Sequence, residues 1–185
     1  MQHKEIIMKL LYSREEIDAC IARLADEISR DYEGKEILCI GLLKGCTVFM
    51  SHLLVQIKGD VEIDFMTISS YKRGARSENF KFIQDLDTEV KGRDVLIIED
   101  IIDSGKTMSF TQEQLKARGA RSIETVTFVD KETRREYDMK PPRYVGFRYT
   151  EAPFIIGFGF DYGGKYRNLP AVYQLEKKDY EADSK

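Results

Sequence analysis

Glu99, Asp100 and Asp103 are followed directly by Ser104-Gly105-Lys106-Thr107. They close the stretch VLIIEDIIDSGKT, in which an apolar run from Val95 meets acid. The last three letters are those of a P-loop, the glycine-rich turn that wraps the phosphates of a nucleoside triphosphate. That motif needs a second glycine five places before the one preceding the lysine, and the position here is Asp100. A carboxylate there would press against a polyphosphate, so a P-loop nucleotide hydrolase is excluded. A single phosphate group remains compatible. Unpaired amides and the positive end of the dipole at a helix start favour an anion, Ser104 and Thr107 add hydroxyls, and Gly105 allows close approach. On these residues alone, a second reading stays open, in which Asp103 or Ser104 only caps the helix.

The acids must then meet something other than phosphate: hydroxyls, a magnesium ion, or a nitrogen that exchanges a proton. Carboxylates at the end of a buried strand are costly unless solvated or partnered. Strand alternation predicts Glu99 and Asp100 on opposite sides of a sheet, one facing a ligand and the other braced. An ion pair at the sheet edge is the plainer alternative. Lys131, after the next strand, could donate to a ligand oxygen or simply be solvated. Phe154 fits a core position or a stacking platform for a flat base. Arg167 is a surface charge or an anion clamp. The tail FIIGFGFDYGGKYR lacks dinucleotide-binding glycine spacing, since Tyr162 follows Gly157 and Gly159. The two histidines, His3 and His52, form no ligand pattern, so zinc is not expected. A metal here would be a hard ion held by carboxylates and substrate oxygens.

The elements that position these groups read as an α/β fold. Ser13-Arg-Glu-Glu16 is a capping box, and Ile17, Ile21, Leu24 and Ile28 follow helical spacing towards Gly34. Strands are expected at Glu36–Gly41, Val61–Ser69, Asp94–Ile98 and Ser122–Asp130, with helices at Thr47–Ile57 and Thr107–Arg118. Alternation of helices with strands apolar on both faces predicts a doubly wound, mostly parallel sheet flanked by helices. Tyr144–Phe147 and Phe154–Phe160 have no helix between them. They are expected to form an antiparallel hood, over about 150–185, with part of the N-terminal segment. Ser69–Asp87 is either a passive loop or a lid. Ligands of such sheets bind beyond the carboxyl ends of the strands, where Glu99-Asp100, Asp130-Lys131 and Leu43-Lys44-Gly45 should converge.

The bulk numbers narrow the class. The chain's 185 residues are 42% hydrophobic, which suits one domain over 1–185. A net charge of −3 gives no general basic field, so nucleic acid is not an expected partner. The apolar runs are too short to cross a bilayer, and no secretory signal is read at the N-terminus. Cys20, Cys39 and Cys46 form no CxxC pair, which indicates reduced thiols and a cytoplasmic setting.

VLIIEDIIDSGKT resembles the phosphoribosyl diphosphate (PRPP) signature of type I phosphoribosyltransferases. With the LLKG, SSY, DK and FIIGFGFDY–KYR segments, the chain is similar to the hypoxanthine-guanine branch over nearly its whole length. The resemblance implies a pentosyltransferase of purine salvage, joining a 6-oxopurine to PRPP to give IMP or GMP and pyrophosphate. It implies Mg²⁺, small-molecule partners and a homodimer or homotetramer.

By the same resemblance, Asp103 is the catalytic general base, and Asp103, Ser104, Gly105, Lys106 and Thr107 hold the 5′-phosphate. Glu99 and Asp100 face the ribose hydroxyls and, with Asp161, the metal. Lys44, Gly45 and Arg167 take pyrophosphate. Lys131, Phe154, Ile155 and Asp161 surround the purine. Ser70 and Tyr71 lead a lid, and the Leu43–Lys44 peptide can be cis. Ser104 replaces a threonine common in that family, keeping the hydroxyl. Two other readings stand beside this one: an RNA-binding regulator on the same fold, for which Lys131-Glu-Thr-Arg-Arg135 is the compact basic cluster, and a transferase preferring xanthine.

Overall fold

The computed structural model describes residues 8–72, 78–150 and 154–176. Its first helix, α1 (Arg14–Asp31), starts at the capping box. Glu16 N donates to Ser13 Oγ, and Ser13 N donates back to Glu16 Oε2. The buried face is Ile17, Cys20, Ile21, Leu24, Ala25 and Ile28, an apolar stripe at helical spacing. The main sheet contains β2 (Glu36–Leu42), β3 (Asp60–Lys72), β4 (Glu78–Gln84), β5 (Asp94–Ile102), β6 (Ser122–Asp130) and β7 (Tyr144–Arg148). Its order is β4-β3-β2-β5-β6-β7, with β4 antiparallel to β3 and the other pairs parallel. Helices α1 and α2 (Cys46–Leu54) cover one face, where Leu96, Ile98 and Phe128 lie in the core. The opposite face buries Val95 and Ile97 with Met108 and Leu115 of α3 (Lys106–Ala117). Alternation along β5 divides its apolar run between these two cores.

The chain leaves β2 towards β3 on one side and reaches β5 on the other. The crevice beyond β2 and β5 is therefore the switch point where an open α/β sheet binds its ligand. A second, three-stranded antiparallel sheet of β1 (Met8–Tyr12), β9 (Val172–Leu175) and β8 (Ile155–Ile156) forms the hood. Ile155, Phe158, Phe160 and Val172 pack into the same core as α1. Tyr12 stacks on Phe147 of β7, with ring centroids 3.7 Å apart.

Four sequence expectations change. Strand β5 does not stop at Ile98. Its pairing with β2 ends at Gly41–Ile98, but pairing with β6 runs on to Ile102–Asp130. The acids thus lie within a strand whose β2 side has opened, and that opening makes the crevice. Tyr144–Arg148 is not part of the hood but the parallel edge strand β7. A short 3₁₀ turn (Glu132–Arg134) replaces the helix expected in a parallel crossover, so the alternation signal is missing there. Helix α2 ends at Leu54 instead of reaching Ile57, because the next residues tighten into Gln56 N–Leu53 O and Ile57 N–Leu54 O turn bonds. The Phe154–Phe160 segment keeps only the two-residue β8, then turns back through a bridge between Gly157 and Phe160. Of Ser69–Asp87, the flanks form the β3–β4 hairpin, and 73–77 lie outside the described residues.

Candidate active site

The Asp103–Thr107 loop is built by its neighbours as much as by its own letters. Its carbonyls point towards the segment after β6: Ile102 O accepts Lys131 N at 2.9 Å, and Ser104 O accepts Glu136 N at 3.0 Å and Tyr137 N at 3.2 Å. Asp103 O accepts Arg135 Nη1 at 2.5 Å, while Arg135 Nη2 pairs with the buried Asp130 carboxylate. Helix α3 starts at Gly105, whose φ of +84° is a conformation glycine adopts without penalty. The N-cap residue Gly105 has no side chain, and Ser104 Oγ accepts Lys106 N at a long 3.4 Å. Of the two capping alternatives the fold thus uses Ser104, weakly, and the next amides of α3 remain for an anion.

Two cavities meet here. One, of about 160 Å³, is lined by Glu99, Ile102, Asp103, Ser104, Gly105 and Thr107, among others. The second, of about 240 Å³, is lined by Gly45, Glu99, Asp100, Thr107, Asp161 and Arg167 with flanking apolar residues. Glu99 and Thr107 belong to both, so the cavities form one crevice. A larger cleft of about 680 Å³ runs along α3 past Gln112, Lys116 and Arg121, but none of the candidate acids lines it. The candidate acids line the smaller pair.

Glu99 and Asp100 both open to the second cavity, despite the strand alternation that predicted them on opposite sides. Burial pushes Glu99 well above the usual carboxylate range, and the adjacent Asp100 charge raises it further. Asp100 is 8% exposed, and burial raises it too. Two desolvated acids side by side form a hard-oxygen donor set suited to a divalent cation, which would relieve their mutual repulsion. Among the described residues, no three His, Cys, Asp or Glu side chains cluster as a ready-made metal site. Asp161 is held apart from the pair. It accepts Gly164 N at 2.8 Å and faces Arg167 Nη2 at 2.5 Å. Arg167 is anchored in turn, its Nη1 donating to Gly159 O.

Gly45 is required to be glycine by its neighbour on β5. A Cβ there would lie 1.9 Å from Asp100 Oδ2, so the carboxylate rests directly on the backbone of the Leu43–Gly45 turn. The Leu43–Lys44 peptide is cis. The Lys44 side chain is exposed, while its carbonyl accepts Thr47 Oγ1 at 2.7 Å.

The remaining candidates fall around these cavities. Lys131 is 6% exposed and its Nζ lies 4.0 Å from Asp103 Oδ2. Burial pulls its ammonium below the usual lysine range, Asp103 opposes that, and Arg134 reinforces it. Lys106 does not line the first cavity. Its Nζ lies over the rings of Phe80 and Tyr137, at 5.6 and 5.3 Å. Phe154 meets Tyr162 edge-on at 5.5 Å, and Ile155 pairs with Gln174 in the hood. Ser70 and Tyr71 are on β3 opposite Phe80 and Asn79, and their side chains lie outside the described residues.

Sequence reasoning gave no site role to Arg134 and Arg135. Both now stand against the loop, Arg134 Nε being 3.1 Å from Asp103 Oδ1. In the basic cluster set out as an RNA contact, Lys131 and Arg134 face Asp103 and Arg135 pairs with Asp130. The adjacent pair Arg134-Arg135 just after a strand-end Asp-Lys was the available signal.

The site thus joins an open α/β sheet, a helix-start loop at its switch point and a pair of acids beside it. A profile of the phosphoribosyl transferase domain matches residues 11–162, and the chain belongs to that family. It is 44% identical over 180 residues to a hypoxanthine-guanine phosphoribosyltransferase of Bacillus subtilis, covering 97% of this chain and 99% of that one. Among solved structures, a hypoxanthine phosphoribosyltransferase from Staphylococcus aureus superposes with a TM-score of 0.87 at 38% identity, covering 93% of each chain. A hypoxanthine-guanine phosphoribosyltransferase from Bacillus anthracis gives 0.85 at 39%, covering 93% of this chain and 100% of that one.

Proposed function

We propose that the protein transfers the 5-phosphoribosyl group of PRPP to N9 of a 6-oxopurine, hypoxanthine or guanine, releasing pyrophosphate. The observation that carries this reading is the adjacent Glu99 and Asp100 at two joined cavities, Glu99 lining both, one cavity bounded by a helix start and the other by Arg167. The amides of Gly105 to Thr107 and the Ser104 and Thr107 hydroxyls would hold the 5′-phosphate. Gly45 and Arg167 would face pyrophosphate. Glu99 and Asp100 would accept the ribose hydroxyls and stabilise positive charge growing on the ring as the C1′–oxygen bond stretches. Glu99 and Asp100 would also hold Mg²⁺, with Asp161 reachable only if it leaves Arg167. When bound, the ion would neutralise oxygens of the PRPP chain. Asp103, whose part-exposed carboxylate lines the first cavity, is suited to take the purine N7 proton. Lys131 would donate to the 6-oxygen.

Lys131 sets the test. An ammonium has three donors and no acceptor, so it would meet the adenine amino group donor to donor. Nucleotide formation from PRPP and a panel of bases should show hypoxanthine or guanine used and adenine disfavoured by roughly 10⁴–10⁵. Efficient use of adenine would refute this reading. Preferred use of xanthine would select the alternative base. The compact fold, with Cys20, Cys39 and Cys46 free and buried, suits a reducing cytoplasm. No helix among the described residues is long and apolar enough to cross a membrane. A homodimer or homotetramer is the assembly that sedimentation should find.

A further inference from the structure

Asp103 sits between two cations of different kinds. Lys131 approaches Oδ2 from the buried end of β6, while Arg134 approaches Oδ1 from a side chain half open to solvent. Arg134 is not loosely placed. It ends the 3₁₀ turn, its amide donating to Lys131 O at 2.9 Å, and that turn is tied down on every side. Arg135 grips Asp103 O and Asp130, Thr133 Oγ1 donates to Thr150 O at 3.0 Å, and Arg148 pairs with Glu132. The turn therefore presents one guanidinium to one carboxylate oxygen. Arg134 thus stands against the covered oxygen Oδ1, compensating the charge, while the Asp103 side chain as a whole is 41% exposed and lines the first cavity.

We infer that Arg134 is a positioning residue for the transfer reaction, holding Asp103 ionised and aimed into the cavity before the purine arrives and restoring that state after each turnover. The inference rests on the reading of Asp103 as general base. In that step N9 forms its bond to C1′, the C1′–oxygen bond to pyrophosphate breaks, and pyrophosphate leaves with the electron pair. The N7–H bond breaks as well. Its electrons stay in the purine and its proton goes to Asp103. A neutral Asp103 no longer attracts Arg134. When the proton leaves to solvent, the ion pair re-forms and the base is reset. The charged groups around Asp103 are Lys131, Arg134, Arg135 on its carbonyl, and Glu99 across the cavity.

The test is the pH dependence of kcat/KM for hypoxanthine in wild type, Arg134→Gln, Arg134→Lys and Asp103→Asn. Removing the guanidinium should move the acid limb upward, by about 0.2–0.7 of a pH unit for a half-exposed pair. The plateau should fall less than in Asp103→Asn, because the base is kept but no longer held in place. Arg134→Lys should restore the limb, and Arg134→Gln should shift nothing when Asp103 is already Asn. As a direct readout, ¹³C-carboxylate NMR should show the Asp103 signal, assigned by its loss in Asp103→Asn, titrating higher in Arg134→Gln. An unmoved midpoint, or a lowered plateau with falling Tm and no shift, would overturn the proposal and leave Arg134 a structural ion pair. Full turnover by Asp103→Asn would instead overturn the general-base reading, so the two failures are separable.

Discussion

Replacing Gly45 with alanine isolates the contact on which the acid pair depends. Gly45 has φ −60° and ψ −42°, ordinary right-handed helical values, so alanine adds no backbone strain at this helix start. At an N-cap glycine is preferred over alanine, so capping propensity gives the change no gain. The new Cβ would stand 1.9, 2.4 and 2.7 Å from Asp100 Oδ2, Cγ and Oδ1. No atom tolerates such distances, and Asp100 is buried on a β-strand, so either its rotamer or the 43–45 turn must move. Overpacking of this kind costs about 1–3 kcal/mol. If that displacement falls on the geometry that meets PRPP, kcat/KM for PRPP drops about 5- to 150-fold. Steady-state kinetics with PRPP varied at saturating hypoxanthine measures it, with Tm recorded in parallel. Gly34→Ala is the control. Its Cβ would meet nothing within 4 Å, but its φ is +71°, so it should lower Tm and leave kinetics alone. A further check is the double variant with Asp100→Ala, which removes the atoms struck. Its Tm should exceed the value expected from adding the single effects, as contacting residues couple. If Gly45→Ala keeps kcat/KM within twofold, or the double variant is additive, the contact does not govern the site.

Three further outcomes are expected. Asp103→Asn, which keeps shape but removes the base, should lower kcat by about 10²–10⁴ with little change in PRPP affinity, read by kinetics and titration calorimetry. PRPP should bind weakly after chelation and regain affinity with Mg²⁺, since the uncompensated Glu99–Asp100 pair opposes an anion; equal calorimetric affinity in both conditions would remove the metal from this site. Arg121, with Ser122, lowers the Asp94 carboxyl to about 2, so its contribution is present above about pH 4 and is lost as pH falls towards 2. Asp94→Asn should therefore flatten the acid side of the Tm–pH curve, and an unchanged slope would show that the ion pair does not matter there.

Much of the scaffold was legible because its signals are local. The Ser13 capping box, the stripe from Ile17 to Ile28 and the apolar runs of β2, β5 and β6 sit in a few consecutive residues each, and the alternation of these elements implied a parallel sheet. So did the chemistry of 99–107: a glycine at the helix start, hydroxyls beside it and an acid where a P-loop has glycine are readable without any fold. What the chain alone left open depends on partners far away in sequence. Whether β5 ends at Ile98 or Ile102 is decided by β6 continuing to pair after β2 has stopped. Whether Tyr144–Arg148 joins the hood or the main sheet is decided by its pairing with β6, supported by the Tyr144 hydroxyl donating to Asp31 of α1 at 2.7 Å. The need for glycine at 45 comes from a carboxylate on another strand, and the setting of Asp103 from a turn that follows β6. Periodicity and capping act through neighbours in the chain, whereas steric exclusion and ion pairing act through space, so residue types alone named the acids but only the packed sheet decided what faces them.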